Sequence, residues 1–482
     1  MDSNSVGLRY ALETTIGVLP GSPTWKPLEP NSYEDFGADF KTVARTPITS
    51  SRQRRKGALT DVEAMGGFEH DWVQDAMYDL MPSFMFAAWR AKKNFAPSAV
   101  SGTNTYAVTG NTGAGAIAAG DLFFVEGAVN AANNGLKKAT SATGTTVVVS
   151  GLVNETLPAT AKLTKVGVEA GSADITVASH TLGATIGSTT FDFTTLNMIP
   201  GEWFFLGGDS AGTKFATAAD NGWYRVYSVA ANAIVCDRVP GTIVNDSGTG
   251  KTIRIFVGHV IKNESDPANI VRQTVQLERE FDGLDNEYLL GGVANELKLS
   301  LKSTEKLMTN MKFMGLNTEE AAAKSGTRPD LTSEAPFTAS NDVSRMRLQE
   351  EDTDTTLATY VEEIEITINN NAYRKTAIGT LGAFDVGVGD FTVSGSVKAY
   401  FDSHTATDAI RNNTDVSLDF AVVQANAGWL FDLPLVVLGD GRKDVQKDEA
   451  VRLNLSQEAV AHATLDHTLL VQSFAYLPDL AE

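Results

Sequence analysis

Two glycine-rich motifs in the middle of the chain carry residues that could perform chemistry. Gly208-Asp209-Ser210-Ala211-Gly212 fits the pattern G-x-S-x-G, in which a serine on a sharp strand-to-helix turn attacks a carbonyl carbon. Ser247-Gly248-Thr249-Gly250-Lys251-Thr252 resembles the end of a phosphate-binding loop, although Asn245 stands where that loop needs its first glycine. Both motifs are followed by strand-like sequence where a helix is required. We therefore predict a surface turn at Ser210 and a hairpin turn at residues 247–252, with a hydrolase built on Ser210 as the enzyme alternative.

The histidines, the acidic cluster and the single cysteine do not form a recognisable catalytic or metal site. His462 and His467 flank Asp466, but residues five apart on a strand point to opposite faces, so we expect no metal there. Residues 350–354 (Glu-Glu-Asp-Thr-Asp) lack the glycine and terminal glutamate of a calcium loop and are predicted to be a solvated loop. Cys236 ends an apolar strand-like run and is predicted to be a buried thiol. The sequence thus predicts no catalytic residue, no metal and no cofactor, and hence no enzyme.

One dense basic run, Arg52-Gln53-Arg54-Arg55-Lys56, stands out in an acidic chain. The sequence has 39 Lys and Arg against 59 Asp and Glu, which gives a formal net charge of −20 at pH 7. A charge of this sign repels phosphate, so conventional nucleic-acid binding through counterion release is excluded. The run is predicted to be either a solvated loop or a contact of Arg52, Arg54, Arg55 and Lys56 with an acidic surface of another subunit.

Length and composition indicate a folded protein of several domains. The chain has 482 residues, of which 43% are hydrophobic and 20% charged, so it can bury more than one core and is not disordered. Residues 1–5 do not begin a signal peptide, because no basic segment precedes an apolar one. The most apolar tract, Met77 to Trp89, is interrupted by Asp79 and Pro82 and is too short to span a bilayer. We expect a protein made in a cytoplasm and not sent to a membrane.

The hydrophobic pattern has a period of two along most of the chain, which is typical of strands. In Val361 to Ile368, Ile364, Ile366 and Ile368 share one face, while acidic and hydroxyl side chains occupy the other. Further strands are predicted at Val275 to Phe281, Glu296 to Lys302, Phe391 to Phe401 and Val416 to Val423.

Helices are predicted in only two places. The segment Asp71 to Met81 places apolar side chains four residues apart on one face, with Asp71 as its cap and Pro82 just past its end. A second short helix is predicted from Thr407 to Asn412, directly after the strand that ends at Phe401. The chain is therefore expected to be mainly β, with two strand-then-helix units in its outer parts.

The middle of the chain, residues 98–260, contains an internal repeat. Four features recur in the same order: Gly120-Asp121-Leu122-Phe123-Phe124 as Gly201-Glu202-Trp203-Phe204-Phe205, Asn134-Gly135-Leu136-Lys137-Lys138 as Asn221-Gly222-Trp223-Tyr224-Arg225, Val147-Val148-Val149 as Ile234-Val235-Cys236, and Val166-Gly167 as Val257-Gly258. We predict two small all-β modules, residues 98–170 and 171–260, inserted in tandem into a parent domain formed by residues 1–97 and 261–482.

Motifs spread over most of the chain resemble those of the tail tube proteins of long-tailed (siphovirus-type) bacteriophages. They are Tyr10-Ala11-Leu12-Glu13-Thr14-Thr15-Ile16-Gly17, Pro20-Gly21-Ser22-Pro23-Thr24-Trp25-Lys26-Pro27-Leu28, the loop from Thr42 to Lys56, Gly66-Gly67-Phe68-Glu69-His70, Val275 to Phe281, Asp285 to Gly292, Ser300-Leu301-Lys302 and Met311 to Gly315. The repeated Gly-Asp/Glu-x-Phe-Phe modules also resemble those inside longer members of the family.

The resemblance implies a β-sandwich or barrel with a flanking α-helix, six copies of which close a ring. Rings stack into a hollow tube through which double-stranded DNA passes without specific binding. Six copies at −20 each would carry a formal charge of −120, which repels a DNA duplex. The implied partners are the chain itself, in homohexameric rings, and other tail proteins such as the tape measure, tail terminator and distal tail proteins.

The sequence-based prediction is therefore a structural virion protein of a phage tail, made in the host cytoplasm, whose tube conducts the genome. The tail is expected to be non-contractile and the inserted modules to point outward. Arg52, Arg54, Arg55 and Lys56 are the candidates for contacts between rings. Two alternatives stay open. One is a glycan-binding surface protein that uses Trp203, Trp223 and Tyr224, and the other is a decoration protein of the capsid.

Overall fold

A computed structural model describes residues 6–50, 52–281, 285–332, 334–351 and 355–481. The chain is mainly β, as predicted, and contains two α-helices within these ranges. Its first part comprises β1 (Val6–Leu12), β2 (Lys26–Leu28), β3 (Pro30–Arg45), β4 (Arg55–Asp71) and α1 (Gln74–Met85).

The middle part consists of short strands. They are β5 (Asn94–Phe95), β6 (Ala99–Ser101), β7 (Thr105–Ala107), β8 (Asp121–Glu126), β9 (Gly135–Lys138), β10 (Ser141–Ala142), β11 (Thr146–Val148), β12 (Glu155–Thr156), β13 (Lys162–Glu169), β14 (Thr176–His180), β15 (Gly183–Gly187), β16 (Trp203–Leu206), β17 (Gly222–Ala230), β18 (Ala233–Arg238), β19 (Arg254–Val257) and β20 (His259–Lys262).

The last part returns to longer strands and contains the second helix. Its elements are β21 (Val275–Phe281), β22 (Asn286–Lys302), β23 (Met308–Gly315), β24 (Asn317–Ala321), β25 (Val343–Glu350), β26 (Val361–Asn369), β27 (Tyr373–Lys375), β28 (Asp385–Gly387), β29 (Thr392–Tyr400), α2 (Thr405–Asn412), β30 (Val416–Gln424), β31 (Ala427–Asp444), β32 (Arg452–Ala459) and β33 (Leu470–Phe474).

All five strands predicted from the two-residue period are present. The alternation is confirmed in β26, where Ile364, Ile366 and Ile368 are buried and the residues between them, Glu365 and Thr367, are half-buried. The predicted strand from Glu296 is the second half of the longer β22, because the first half lies in a more continuously apolar stretch that shows no alternation. The second helix, α2, is confirmed and begins two residues earlier than predicted.

The predicted start of the first helix is wrong. Asp71 is the last residue of β4, and its carboxylate binds Lys306 Nζ at 2.7 Å instead of capping the helix. The helix begins after Val73, whose backbone is extended and whose side chain cannot accept a hydrogen bond. Glu334, distant in sequence, supplies the missing acceptor, because its Oε2 receives the Asp75 amide at 3.0 Å. A tertiary contact therefore determines this helix end.

Pro82 lies inside α1 and not beyond it, which corrects a second prediction. A proline has no amide hydrogen to donate, so the carbonyl four residues earlier loses its helical partner. That carbonyl belongs to Tyr78, and the indole Nε1 of Trp89 donates to it at 2.8 Å. The helix continues to Met85 because a side chain beyond its end replaces the lost backbone bond.

Two groups of six strands surround the main core, and each has its own antiparallel order. In the first group β1 pairs with β21, followed by β22, β23, β4 and β3. In the second β25 pairs with β30, followed by β31, β32, β29 and β26. β22 and β26 join the two groups. Within the described ranges these sheets do not close into a barrel, and they agree with the predicted β-sandwich.

Most strands between residues 121 and 257 form one sheet, whose centre reflects the sequence repeat, while β10, β11 and β12 belong to a separate small sheet with β6 and β7. The order of the larger sheet is β14-β15-β18-β17-β16-β19-β13-β8-β9, so β9-β8-β13 of the first copy mirrors β17-β16-β19 of the second. The acid that follows the glycine of each repeat motif is buried and paired with a lysine. Asp121 binds Lys165 at 2.7 Å, and Glu202 binds Lys92 at 2.6 Å. The division into modules 98–170 and 171–260 stays a prediction.

Candidate assembly surfaces

β3 and β4 extend beyond the body of the protein as a two-stranded arm. β23 pairs with β4 only from Ala64 to Asp71, so the strands have no further partner beyond this point in the described structure. The described residues from Asp39 to Thr60 are exposed except for the half-buried Gly57. The seven residues from Asp39 to Arg45 alone span about 23 Å. We call the ribbon from residue 39 to residue 60 the arm.

The arm carries large apolar side chains that nothing in the described chain covers. They are Phe40, Val43, Ile48 and Leu59. A two-stranded ribbon in water is marginally stable by itself, and exposed apolar groups usually mark a contact surface. The arm is therefore suited to lie against another molecule.

Irregular backbone and ion pairs fix the root of the arm. The register of β3 against β4 shifts between Glu34 and Gly37, where Asp35 has a φ of 46°. Such a bulge bends the strand and increases its twist. On the other side, Arg374 from the β27–β28 hairpin binds Asp61 at 2.7 Å. The direction of the arm is thus set by contacts at its base.

The predicted basic residues lie together at the free end of the arm. Arg52 and Arg54 belong to its tip, and Arg55 and Lys56 begin β4. All four are exposed. Within the described ranges, none of the four forms an ion pair. The cationic groups are therefore available to a neighbouring molecule.

β3 and the end of β31 each have one unpaired edge in the described structure. β3 pairs only with β4, and residues 437–444 of β31 pair only with β32. Exposed edges present backbone amides and carbonyls that can pair with another chain. Sequence reasoning did not identify them, because the alternating pattern shows which face of a strand is buried but not which edge is paired.

A family profile described as "Phage tail tube protein" matches residues 3–461. The chain belongs to the phage tail tube protein family. No curated protein matches it. Membership implies a structural component of the virion tail that assembles with other tail components. The resemblance drawn from the sequence motifs is thus confirmed for nearly the whole tail tube protein.

The aromatic side chains considered for glycan binding are buried in this tail tube protein. Trp203 and Trp223 belong to a core that joins the sheet formed by the repeat strands to β31 and β33. Tyr224 packs inside the second module. The ring centroids of Trp223 and Phe474 lie 5.2 Å apart. The two tryptophans therefore attach the modules to the body, and none of the three rings forms a surface for sugars.

A buried group of charges lies beside this aromatic core. Arg225 is fully buried and binds Asp237 at 2.9 Å, Glu351 at 3.2 Å and Asp432 at 3.4 Å. Arg238 also forms an ion pair with Glu351. Burial raises the pKa of Asp432 to about 6, although the charge of Arg225 opposes this change. Module residues and body residues thus share one charge network.

Glu351 connects the module cations to the body. Burial alone would raise its pKa, but a hydrogen bond from His462 and the charges of Arg225 and Arg238 outweigh burial and lower the pKa to about 2. Sequence reasoning assigned Glu351 to a solvated loop, which is wrong for this residue because it is largely buried. Glu350 of the same cluster is half-buried and ends strand β25, and residues 352–354 lie outside the described residues.

The two glycine-rich motifs lie in neighbouring turns of the tail tube protein. Ser210 Oγ contacts Thr213 Oγ1 at 3.0 Å, and Lys251 Nζ donates to the Ala211 carbonyl at 2.6 Å. Strand β19 follows, where a phosphate loop would need a helix. The predicted turn at Ser210 is confirmed. Residues 249–250 also form a turn, but the predicted hairpin is wrong, because β18 and β19 on either side pair with other strands.

The remaining candidates for chemistry are also inside the fold. Cys236 is buried, as predicted. Burial raises the pKa of its thiol well above the ordinary value, which makes the thiol unreactive. Burial lowers the pKa of His467 to about 3. Within the described ranges no three His, Cys, Asp or Glu side chains are arranged to hold a metal ion. The helices described here are too short or too polar to cross a bilayer. Residues 1–5, which served the signal-peptide argument, lie outside the described residues.

Proposed function

We propose that copies of this chain associate edge to edge into hexameric rings, in which six tube folds surround a central channel, and that the rings stack into a hollow tube. The tube conducts double-stranded DNA from the virion during genome ejection. The chain is made in the host cytoplasm and joins the tape measure, tail terminator and distal tail proteins in the mature tail. The arm is the observation that carries this proposal, because its large apolar side chains are exposed and the four basic side chains at its tip form no ion pair within the described chain.

The arm supports stacking through two kinds of contact. Covering Phe40, Val43 and Leu59 removes apolar surface from water, which stabilises a contact by roughly 25 cal/mol per Å². The basic tip adds charge complementarity toward a body of net negative charge, which guides the direction of docking. Arg52, Arg54, Arg55 and Lys56 are therefore the proposed contacts between rings.

The excess of acidic residues supports a conduit that DNA does not adhere to. A duplex carries one phosphate charge per about 1.7 Å, so a lumen of the same sign gains nothing from releasing counterions. The modules are proposed to point away from the bore, because modules inside it would obstruct the duplex. A structural role without catalysis is proposed, because both glycine-rich motifs form turns that are not followed by the helix that a nucleophilic serine or a phosphate-binding loop needs.

Electron microscopy of the purified protein at high concentration tests the proposal. Tubes with a central channel are expected, and particles without a channel would contradict it. Labelling the protein in virions separates a tail tube from the alternative of a capsid decoration protein, which would lie on the head.

A charge reversal tests the role of the arm. Arg54→Glu with Arg55→Glu is expected to leave a soluble, folded protein that forms fewer or shorter tubes. Each rim ion pair contributes only about 0 to 1 kcal/mol, so the effect arises from repetition at every ring. The matched control reverses two cations away from the arm, Lys137→Glu with Arg411→Glu, and should assemble normally. Equal assembly of both variants would show that the basic tip is not a ring contact.

A further inference from the structure

The two groups of six strands have the same topology. β1, β21, β22, β23, β4 and β3 of the first group correspond in order to β25, β30, β31, β32, β29 and β26 of the second. In each group the fifth strand leads into a helix, α1 after β4 and α2 after β29. Each helix contacts the long third strand of its own group, β22 or β31. We call these groups unit 1 and unit 2.

Irregularities in strand register recur at equivalent places, which strand order alone does not require. The pairing of β21 with β22 shifts between Val275 and Leu277, and that of β30 with β31 shifts between Val416 and Leu418. These shifts lie at the point of the long strand where its pairing with β21 or β30 ends and its pairing with β23 or β32 begins. The units therefore repeat one bent-strand design.

A second shift also recurs, at the start of the edge strand of each unit. It lies between Pro30 and Ser32 in β3, and between Val361 and Glu363 in β26. Together the two matched shifts align the units residue by residue. Glu34 then corresponds to Glu365, and Asp444 corresponds to Ser300.

Within the chain the units are joined edge to edge. The second half of β22 in unit 1 pairs with β26, the edge strand of unit 2, and Ser300 lies opposite Glu365. Lys298 binds Glu365 at 2.8 Å across this junction, and Lys302 binds Glu363 at 2.9 Å. The junction covers one edge of each unit.

The equivalent edges at the two ends of the pair are uncovered. They are β31 of unit 2, from residue 437 onward, and β3 of unit 1. Val293 and Leu301 of unit 1 are 0% and 5% exposed, whereas Val437 and Val445, at the corresponding positions of unit 2, are 46% and 71% exposed. The apolar positions are retained, but the strand that would cover them is missing from the described chain.

We infer that β31 of one copy pairs with β3 of a second copy and thereby repeats the β22–β26 junction between chains. This contact is heterologous, so it generates a ring if the rotation closes. Arg442 takes the position of Lys298 and Glu34 that of Glu365, so the diagonal cation–carboxylate contact is preserved across the chains. What was predicted as one parent domain over residues 1–97 and 261–482 comprises two tube units.

Each chain fills two positions, so three copies complete the ring, where the sequence analysis expected six. This number rests on the proposed function, which supplies the six positions. Three copies at −20 each give a ring of formal charge −60, which still repels DNA.

A disulfide between the predicted partners tests the inference in the full-length chain. Glu34→Cys with Asp444→Cys places two thiols opposite each other only if β31 and β3 of neighbouring copies pair in this register. Cross-strand neighbours lie about 4.5 to 5.5 Å apart at Cα, which a disulfide can bridge. Background is low, because Cys236 is the only native cysteine and is buried. Ser300→Cys with Glu365→Cys is the matched control and should form a bond within one chain.

After oxidation of assembled protein, denaturing gels without reductant should show dimers and trimers of the 51.4 kDa chain and nothing larger. The control should remain monomeric. A second pair, Ser32→Cys with Gln446→Cys, examines the same register if the first variant fails to fold.

Tubes that form no cross-link with either pair, or a ladder that continues to six chains, would overturn the inference. Cross-linked trimers without tubes would support the edge contact and instead contradict the stacking in the proposed function.

Discussion

Replacing Glu351 by Gln should loosen the attachment of the second module to the body of the protein. Glu351 binds Arg225 and Arg238 from the module and contacts His462 Nε2 at 3.5 Å. The substitution keeps the size of the side chain but removes its charge. Arg225 is fully buried, so a lost counter-charge is not replaced by water.

The magnitude follows from the pKa of Glu351, which is lowered from its ordinary value of 4.5 to about 2. A difference of this size corresponds to roughly 3 kcal/mol of stability at pH 7. Because the pKa is depressed in the folded protein, this contribution is complete above pH 4.5 and disappears as the pH falls through 2. The difference between native and variant protein should therefore shrink in acid.

Hydrogen exchange of peptides from β17 and β18 measures this opening directly. At pH 7 the variant should exchange roughly 100-fold faster than the native protein, and at pH 3 only about tenfold faster. Glu449→Gln is the control, because Glu449 forms an exposed ion pair with Arg452, which contributes less than about 1 kcal/mol. Unchanged exchange at pH 7, or a difference that does not vary with pH, would refute the reasoning.

Two further predictions concern backbone positions. Gly120 and Gly201 begin the two repeat motifs and have φ angles of 91° and 86°. Replacing either by alanine should therefore lower the free energy of unfolding by about 1 kcal/mol. Thermal unfolding should show that Gly201→Ala lowers the free energy of unfolding by roughly 2 kcal/mol more than Gly120→Ala, because the new Cβ would lie 2.5 Å from His467 Cε1. Equal losses in the two variants would contradict this prediction. Trp89→Phe should lower the free energy of unfolding by about 1–3 kcal/mol, because the Tyr78 carbonyl loses its donor. The loss should be smaller in a Pro82→Ala background, where the new amide of residue 82 can donate to that carbonyl. A double-mutant cycle that shows no coupling between the two substitutions would exclude this role of Trp89.

Local patterns in the sequence were sufficient for much of the fold. The alternation in β26 identified its buried face, because neighbouring side chains on a strand point to opposite sides. The Gly-Asp/Glu-x-Phe-Phe repeat identified two related segments, and the two strand-then-helix units were visible at β4–α1 and β29–α2. The basic run at Arg54 and Arg55 was recognised as unusual in an acidic chain. Each of these signals lies within a few consecutive residues.

Contacts between residues distant in sequence decided the rest. Glu334 caps α1, and Trp89 allows the helix to continue through Pro82, neither of which the helical pattern contains. Glu351 looked like a loop carboxylate until folding brought the module arginines to it. By itself the sequence determined which segments are strands and which faces are apolar, because propensity and periodicity are local. Only the tertiary structure decided which edges are paired, because backbone pairing depends on geometry and not on side-chain type.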